Sequence, residues 1–434
     1  MQPETARGRG DDFQVFPRVR IARSCWALKR TAIMYRILVL TMAATCLWAC
    51  TSRPGTAPTS ACTTLSKLID TQSGGPAFLP SYPTAQTSAL KGTAFLYDNS
   101  LATIALVACG EREKASRIGD AILVALNHDR YWHDGRLRNA YLAGPVGAGE
   151  VKLPGWFDAR LNRWSEDAYQ VGSDNGNIAW TILALLSLDR PGHDRRYRDA
   201  AVRIGAWITR WHSSLGAGGF TGGTFDEEPV PKIQSWKSTE QNSDLAGAFT
   251  VLAEATGDKT WLQQAQSAKQ FVHAMWDVNC KCFDAGTEED GTTRNRFVAL
   301  DAQIFPLLAL PGAAIHYAAA ITTANTRLRD GPGFSYGEAR GGMWTEGTEQ
   351  AALFMELSAR KTEARNLIRV AQTMRTPDGN YYAASTTQLP TGLKLDTDPS
   401  QSRRYFRLAH LAPLSWAAIV ERRYNPFTHK STLP

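Results

Sequence analysis

The sequence predicts an all-α fold, a toroid of helical hairpins that carries its long loops on one face. Apolar residues recur at helical spacing through most of the chain, strand-like runs are few, and short connections alternate with long ones. The predicted helices cover 100–108, 117–126, 178–188, 199–211, 245–255, 261–276, 302–310, 313–321, 351–358, 366–374 and 408–420. An open helical solenoid is the alternative, because the turns show no strict repeat period.

Capping residues and loop lengths support these elements in order along the chain. The helix starts predicted from capping are Asp98, Ser173-Asp174, Ser238-Thr239 and Thr345, and the predicted ends are Gly110, Pro191-Gly192 and Gly257. The segment 245–257 leads through three residues into 261–276, which indicates a hairpin with a very short connection. Both outer ends of such a hairpin lie on one side, so five or six hairpins should gather their long loops on one face.

The first 49 residues predict a bacterial signal peptide. Residues 36–49 combine a positive flank with an apolar run too short to span a bilayer. The ending Leu47-Trp48-Ala49-Cys50 resembles the lipobox, in which the cysteine is acylated and begins the mature protein. We therefore expect a lipoprotein anchored through Cys50, in the outer membrane and facing the periplasm. A buried apolar helix is the alternative interpretation of this segment.

The domain organisation follows from composition. Met34 precedes the apolar run closely, so residues 1–33 are interpreted as an over-extended start within the 1–49 leader. Residues 50–83 are rich in Ser, Thr, Pro and Gly, which predicts a flexible tether. The remaining 84–434 are predicted to be one toroidal catalytic domain, with its folded part beginning near Ala89.

Charge and cysteine usage exclude several function classes. Of 48 Lys and Arg and 41 Asp and Glu, residues 1–49 carry eight and three, which leaves 40 and 38. This near balance predicts a neutral partner and no nucleic acid. Four cysteines remain after processing, at 62, 109, 280 and 282; an oxidising periplasm permits disulfides, but their pairing stays open. No histidine pair has metal-ligand spacing, so neither a metal nor a cofactor is expected.

Acids and amides stand together where the chain enters the predicted inner helices from the long loops. The five starts read Tyr97-Asp98-Asn99, Ser173-Asp174-Asn175, Thr239-Glu240-Gln241-Asn242, Leu300-Asp301-Ala302-Gln303 and Trp344-Thr345-Glu346-Gly347-Thr348-Glu349-Gln350. Helix capping accounts for the acids. It does not account for the amides or for the nearby tryptophans, whereas a sugar cleft requires carboxylates, amides and flat aromatic faces together.

These motifs resemble bacterial members of the six-hairpin, (α/α)6-toroid glycosidase superfamily. The resemblance rests on the phrase 238–244, the loop 283–291, the segments 300–303 and 344–350, and the ending 415–427. It covers roughly residues 90–428. It implies a glycoside hydrolase that cleaves a poly- or oligosaccharide, such as a β-glucan or an exopolysaccharide, by carboxylate acid–base catalysis with inversion.

Within that resemblance, Glu240 is the predicted proton donor and Asp174 the predicted base. Glu240 lies in the phrase most like the superfamily, next to Trp236, whose apolar face would raise its pKa. The other candidate acids are Glu346, Asp98, Asp301 and Glu166. The predicted substrate-binding residues are Trp156, Trp164, Trp236, Asn242, Asp244, Gln303, Trp344 and Gln350.

Three other functions are compatible with the sequence. A polysaccharide lyase on the same fold would need a basic cleft, for which Arg130, Arg136 and Arg138 are candidates. A non-catalytic lipoprotein could bind glycan within an export assembly. A sugar epimerase is also possible on this fold, although export argues against a role on free metabolite sugars.

Overall fold

A computed structural model describes residues 60–86, 89–189, 195–394 and 400–434. The predicted leader, Cys50 and the start of the predicted tether lie outside the described residues. Within the described part, no helix is long and apolar enough to cross a membrane.

Twelve helices longer than two turns form the described fold. They are Ala61–Asp70 (α1), Leu96–Ala108 (α2), Arg112–Asn127 (α3), Asn175–Leu188 (α4), Arg196–Ile208 (α5), Thr239–Thr256 (α6), Thr260–Ala274 (α7), Leu300–Ala309 (α8), Ala319–Arg327 (α9), Thr345–Leu357 (α10), Lys361–Gln372 (α11) and Leu411–Arg422 (α12). Short helical turns lie at Ala168–Val171, Thr209–Trp211 and Ala313–His316.

The helices form a closed double ring. The even-numbered helices make the inner ring, in which each contacts the next along the chain and α12 returns to contact α2. The odd-numbered helices lie outside them, and α1 completes the sixth pair by packing against α12. This is an (α/α)6 toroid, so the predicted fold class is confirmed.

Sequence composition decides which helices lie inside. All residues of α4 except Asn177 are buried, as its nearly continuous apolar sequence requires. In α11, by contrast, the buried positions are Ala364, Leu367 and Ala371, a single stripe at helical spacing. Inner helices are therefore apolar around their circumference, and outer helices are amphipathic.

The predicted tether is wrong for residues 60–83, because this segment belongs to the toroid. Ser60 caps α1, with its side chain accepting a hydrogen bond from the Thr63 amide. Leu65 and Ile69 are fully buried, and the Ala61 amide donates to Glu421 of α12 over 2.8 Å. The polar composition of this segment hides a one-sided apolar stripe too short to stand out from its neighbours.

Most predicted helices match observed ones, with starts that are one to six residues earlier, except α12, which begins three residues later. Ser238 and Asp174 act as N-caps, and Gly257 ends α6 in the left-handed conformation at φ 74°. Asp98 and Thr345 instead lie inside α2 and α10. The predicted helix 313–321 is wrong, since the chain makes one turn there and begins α9 only at Ala319.

Short strands organise the loops. They are Ala77–Phe78 (β1), Thr93–Phe95 (β2), Ala140–Leu142 (β3), Gly144–Pro145 (β4), Trp156–Asp158 (β5), Arg163–Ser165 (β6), Ser173–Asp174 (β7), Gly223–Phe225 (β8), Lys232–Gln234 (β9), Trp276–Asp277 (β10), Cys282–Phe283 (β11), Gly286–Thr287 (β12), Arg294–Asn295 (β13), Arg329–Asp330 (β14), Gly333–Phe334 (β15), Tyr381–Tyr382 (β16), Gln388–Lys394 (β17), Ser402–Phe406 (β18) and Ala409–His410 (β19).

All strand pairs are antiparallel, and several hold the entry to an inner helix. β7, directly before α4, pairs with β8, and β19, directly before α12, pairs with β16. Gly286 bridges to Ser238 at the start of α6 with φ 150°, and a Cβ there would meet the Lys237 carbonyl at 1.9 Å. That position therefore requires glycine.

Two disulfides resolve the pairing that the sequence left open. Cys62 bonds to Cys109, which ties α1 to the end of α2. Cys280 bonds to Cys282 across one intervening residue, in the β10–β11 turn. At the centre of the ring, Trp180 and Trp416 pack against Phe305 and Phe427, as expected for core tryptophans.

Candidate active site

The entry to every inner helix carries one titratable side chain. In ring order these groups are Asp98, Asp174, Glu240, Asp301, Glu346 and His410. Five of them were predicted candidates, and the toroid brings them together because it points all inner N-termini toward the long-loop face. A helix dipole stabilises an acid by only about 0.3–1 kcal/mol, whereas burial shifts a carboxyl pKa by up to about 3–5 units. Burial therefore dominates the electrostatics of this ring.

Glu346 lies in a short hydrogen-bonded chain. The Tyr97 hydroxyl donates to Glu346 Oε1 over 2.5 Å and accepts from the Trp416 indole over 3.0 Å. Gln350, one turn further into α10, is 3.4 Å from the same oxygen. Burial raises the pKa of Glu346 to about 7, although His410 and the Tyr97 hydrogen bond oppose the shift. Near neutral pH this carboxyl can therefore either hold or release a proton.

Asp98 pairs with a histidine that sequence reasoning did not identify. His410 Nε2 lies 3.0 Å from Asp98 Oδ2, and both side chains are nearly fully buried. The Tyr82 ring stacks on His410 with centroids 4.1 Å apart, which fixes the plane of the imidazole. Nδ1 of His410 has no hydrogen-bond partner among the described residues. This second ring nitrogen is itself buried.

Glu240 and Asp301 form a carboxyl–carboxyl pair. Burial raises the pKa of both groups, and the negative charges of Asp301 and Asp244 raise that of Glu240 further. The hydrogen bond between them raises the pKa of Glu240 and lowers that of Asp301, so Glu240 holds the shared proton. Tyr336 also donates to Asp301. The Glu240 proton is therefore already engaged inside the protein.

Asp174 is held as a helix cap. Its carboxylate accepts from the Gly176 amide over 3.0 Å and from the Gln241 side chain. Burial raises its pKa to about 6, and the positive charge of Arg403 opposes this. Asp244 lies one turn below Glu240, is 1% exposed and interacts with Trp180, which places it beneath the site rather than in it.

A cavity of about 520 Å³ opens over the ring beside Glu346 and Asp98. Tyrosines provide much of its wall, together with Phe95, Phe225, Gln170 and Asn177. The lining tyrosines are Tyr82, Tyr97, Tyr169, Tyr336 and Tyr405. Aromatic faces with a few hydroxyl and amide groups are the surface that sugar rings and their hydroxyls require.

One hairpin forms a large part of the cavity wall. We call it the strap and define it as the strands β17 and β18, residues 388–394 and 402–406. Its lining residues are Gln388, Thr391, Leu393, Ser402, Arg403, Arg404, Tyr405 and Phe406. The sequence showed this segment only as part of a long loop, because its apolar positions are too sparse to indicate a buried strand.

The predicted sugar-binding role is wrong for two amides, which bind the protein's own backbone. Asn242 bonds the Phe220 amide and carbonyl over 2.9 and 3.0 Å, and Gln303 bonds those of Phe283 over 2.8 Å each. The Asn99 side chain likewise accepts from the Leu79 amide over 2.8 Å and donates to the Leu79 carbonyl over 3.0 Å. This repeated contact, which we call the amide clamp, fixes three long loops to the starts of α2, α6 and α8.

The predicted tryptophans lie outside the cavity wall. Trp344 is 2% exposed and contacts Tyr336 and Tyr405 from behind. Trp156 and Trp164 belong to the β5–β6 hairpin, where Trp164 is 58% exposed. Trp236 is partly exposed and lies against Gly222. Tyrosines, which sequence reasoning did not single out, provide the aromatic surface instead.

Glu166 and the arginines considered for a lyase neutralise one another. Arg130 binds Glu166 with two parallel hydrogen bonds of 2.7 Å and also contacts Glu228. Arg138 is fully buried between Asp129 and Glu228. Glu166 is thus an ion-pair residue and does not join the acidic ring. Arg136 pairs with Asp134 over 2.8 Å, so all three arginines lack the unneutralised positive charge that a uronate cleft requires.

No group of three or more His, Cys, Asp or Glu side chains within the described ranges has an arrangement that could hold a metal ion. The carboxyl groups of the ring pair with tyrosines, amides, His410 or one another instead. The arrangement can supply a buried, protonated carboxyl group and a second carboxylate beside an aromatic cavity.

Comparison with known proteins gives matches at the level of structure. No protein-family model and no curated protein matches the chain. A solved glycosidase is 16% identical, with a TM-score of 0.57, over 83% of this chain and 94% of that one. A family 76 alpha-mannanase from Bacteroides thetaiotaomicron is 13% identical, with a TM-score of 0.51, over 84% and 95%. A sugar epimerase from a ruminal bacterium is 10% identical, with a TM-score of 0.57, over 83% and 96%. At these identities the likeness establishes the shared toroid fold.

Proposed function

We propose that this protein is a glycoside hydrolase in which Glu346 donates the proton to the leaving oxygen. The observation that carries the proposal is a buried carboxyl group, with a pKa raised to about 7, in the wall of an aromatic cavity. General acid catalysis is most efficient when the pKa of the acid lies near the working pH. Glycosidases among the structural neighbours support the same reaction class.

The cavity favours Glu346 over Glu240, which was the donor predicted from sequence. The proton of Glu240 is shared with Asp301, and transferring it to a substrate would first break that pair. Glu346 has Oε1 bound by Tyr97 and Gln350, which leaves Oε2 to carry the proton. Glu240 and Asp301, which share one proton and carry a single negative charge, then lie outside the wall of the cavity.

Asp98 is the partner carboxylate in this proposal, in place of Asp174. His410 holds one of its oxygens, and the other can orient a water molecule or stabilise the developing positive charge. Asp174 is committed to capping α4. Its role is to shape the cavity beside Asn177 and Tyr169.

Substitution of Glu346 by Gln tests the donor. Glu346→Gln should lower kcat on a cleaved polysaccharide by roughly 10²–10⁴-fold and leave glycan affinity nearly unchanged, because the amide cannot supply a proton. Glu240→Gln should lower kcat by less, since it removes a proton that the substrate does not receive. A larger loss in Glu240→Gln than in Glu346→Gln would return the donor role to Glu240.

Sugar epimerisation is a second candidate, and the Asp98–His410 pair favours it. An imidazole oriented by a carboxylate is suited to abstract a proton, and one solved neighbour is a sugar epimerase. Incubation with free sugars in heavy water separates the two reactions. Epimerisation would give an isomer of unchanged composition with deuterium at one carbon, whereas hydrolysis consumes water and splits a glycosidic bond.

We further propose that the protein acts on glycan outside the cytoplasm, held to the outer membrane through Cys50. The support is the charged flank, the short apolar run and the lipobox-like ending at Cys50. The disulfide between Cys62 and Cys109 accords with an oxidising compartment.

A further inference from the structure

We infer that the strap converts the cleft into a pocket that takes the end of a sugar chain, so that the enzyme acts in the exo mode on units of about two rings. The inference rests on the proposed glycosidase function and adds the form of the substrate. An endo-acting toroid needs a groove open in both directions across its loop face. The strap lies across that face.

The strap begins on one side of the ring and reaches the other. Its base is the β16–β19 pair, where Tyr381 is opposite His410 at the entry to α12. Its Arg403 lies over the ring of Tyr169, 5.3 Å from the centroid, in the helical turn that precedes β7 and α4. Since α2 lies between α12 and α4 in the inner ring, the strap spans the entry to α2 as well.

The other edge of the strap meets the loops that lead into α8 and α10. A Cβ at Gly392 would come within 2.9 Å of the Phe297 ring, which lies just before α8. A Cβ at Gly341, before α10, would lie 3.5 Å from Pro390. The strap therefore touches loops on opposite sides of the ring, and a sugar chain cannot cross between them without displacing it.

The strap is built to hold this position. Leu389 is fully buried. The centroid of the Tyr405 ring lies 5.3 Å from that of Trp344 and 6.2 Å from that of Tyr336. Thr391 donates to the Arg403 carbonyl across the two strands over 3.0 Å. Aromatic packing and cross-strand bonds of this kind make the strap a fixed wall of the cavity.

The size of the cavity sets the length of chain that it encloses. The cavity volume of about 520 Å³ lies within the range of about 300–1,000 Å³ that is typical of pockets for one drug-sized molecule. A disaccharide is a molecule of that size. Glu346 and Asp98 lie in the wall of this cavity. The bond cleaved is therefore close to a chain end.

Binding measurements with the inactive Glu346→Gln variant test the pocket without requiring turnover. The probes are mono- to hexasaccharides of the mannan and glucan series, titrated by calorimetry. We expect the disaccharide to bind at least about 10-fold more tightly than the monosaccharide, and longer chains to gain less than about 3-fold more. An affinity that continues to rise with each ring up to the hexasaccharide would overturn the inference.

A strap-shortened variant provides the second arm. Residues 391–403 are replaced by Asn-Gly, a two-residue turn that joins the opposed positions Pro390 and Arg404. In the active enzyme, this change should shift products from short sugars toward mixed oligosaccharides and accelerate the loss of polymer viscosity. Lys394→Ala, at an exposed strap position that does not line the cavity, is the control and should keep the wild-type products. If the shortened variant misfolds, Tyr405→Ala, which opens the same wall, takes its place.

The outcomes separate the two proposals. Hydrolysis by the wild-type enzyme with an early fall in viscosity and mixed products would refute the pocket and leave the glycosidase intact. Binding that levels off at two rings without any hydrolysis would support the pocket and refute the hydrolase. Absence of binding by any of these sugars would overturn both.

Discussion

At the scale of single residues, the behaviour of Glu346 depends on the balance between burial and one hydrogen bond. Burial favours the neutral carboxyl, and the Tyr97 hydroxyl favours the charged one. The Trp416 indole fixes the Tyr97 oxygen, so the bond is oriented before a substrate arrives. The site thus sets the acidity of its donor with a side chain that need not contact the substrate.

Substitution of Tyr97 by Phe should shift the pH dependence of hydrolysis. A proton donor is active when protonated, so wild-type kcat should fall as pH rises through about 7, the pKa of Glu346. Tyr97→Phe removes the bond that lowers this pKa, so the fall should move to higher pH. Profiles of kcat from pH 4 to 9 measure the shift. Tyr197→Phe removes a hydroxyl bonded to Asp120 on the outer ring and should leave the profile unchanged. An unmoved profile in Tyr97→Phe would mean that Glu346 is not the titrating donor.

At the scale of elements, the amide clamp explains why amides follow the acids at the inner-helix starts. A long loop that turns sharply onto a helix leaves a backbone amide and carbonyl unpaired, and a buried unpaired group costs about 1–3 kcal/mol. Asn99, Asn242 and Gln303 pair both groups at once. In the fifth hairpin, Thr348 bonds the Phe334 amide over 3.1 Å instead.

Removal of a clamp should destabilise the fold without weakening glycan binding. Gln303→Ala leaves the Phe283 amide and carbonyl buried without partners, so the free energy of unfolding should fall by about 1–3 kcal/mol. Gln263→Ala, on the exposed face of α7, should change it by less than about 0.5 kcal/mol. Denaturant unfolding and sugar titration of both variants make the comparison. A stable Gln303→Ala protein with lost glycan affinity would restore the sugar-binding role predicted from sequence.

The sequence predicted the toroid well because its signal is repeated. Ten of the eleven predicted helical segments, together with caps such as Ser238 and Gly257, carry a local pattern that tertiary contacts do not reverse. It also predicted that acids at the inner-helix starts would converge. The roles of individual residues were not predictable, because an amide that binds a backbone and one that binds a sugar look identical in sequence. His410 and the strap come from segments far in the chain from the acids at the first four inner-helix starts, and only folding brings them to the cavity.

At the scale of the whole molecule, the predicted membrane anchor can be tested by substituting a single residue. Cys50→Ala should abolish labelling by radioactive palmitate in a bacterial host and move the protein from the detergent phase to the aqueous phase. Cys46→Ala, four residues upstream within the predicted leader, should remain lipidated and is the matched control. A Cys50→Ala protein that still enters the detergent phase would refute the lipobox interpretation.

The free energy of unfolding should depend on pH, because folding buries many carboxyl groups close together. Seven buried carboxyl groups of the described residues have a pKa above the ordinary value: Asp174, Glu240, Asp244, Asp284, Asp301, Glu346 and Glu349. A group whose pKa is raised by folding stabilises the protein fully below its unfolded pKa, and this contribution is lost as pH rises through the folded pKa. Ion-paired carboxyl groups, such as Asp129 and Glu228, have lowered pKa values and lose their contribution only in stronger acid. The protein should therefore be most stable in mild acid, near pH 5.

Glu346→Gln isolates one part of this dependence. For Glu346 the pKa rises from 4.5 to about 7 on folding, which corresponds to a loss of up to about 3 kcal/mol between pH 4.5 and pH 8. The variant has no proton to lose there, so its melting temperature should rise relative to the wild type as pH increases from 5 to 8. Glu254→Gln, on the exposed face of α6, should track the wild type throughout. If the Glu346→Gln and wild-type curves stay parallel over this range, the carboxyl is already ionised at pH 5. Glu346 could not then act as the donor at neutral pH, because an acid that has lost its proton by pH 5 has none to transfer.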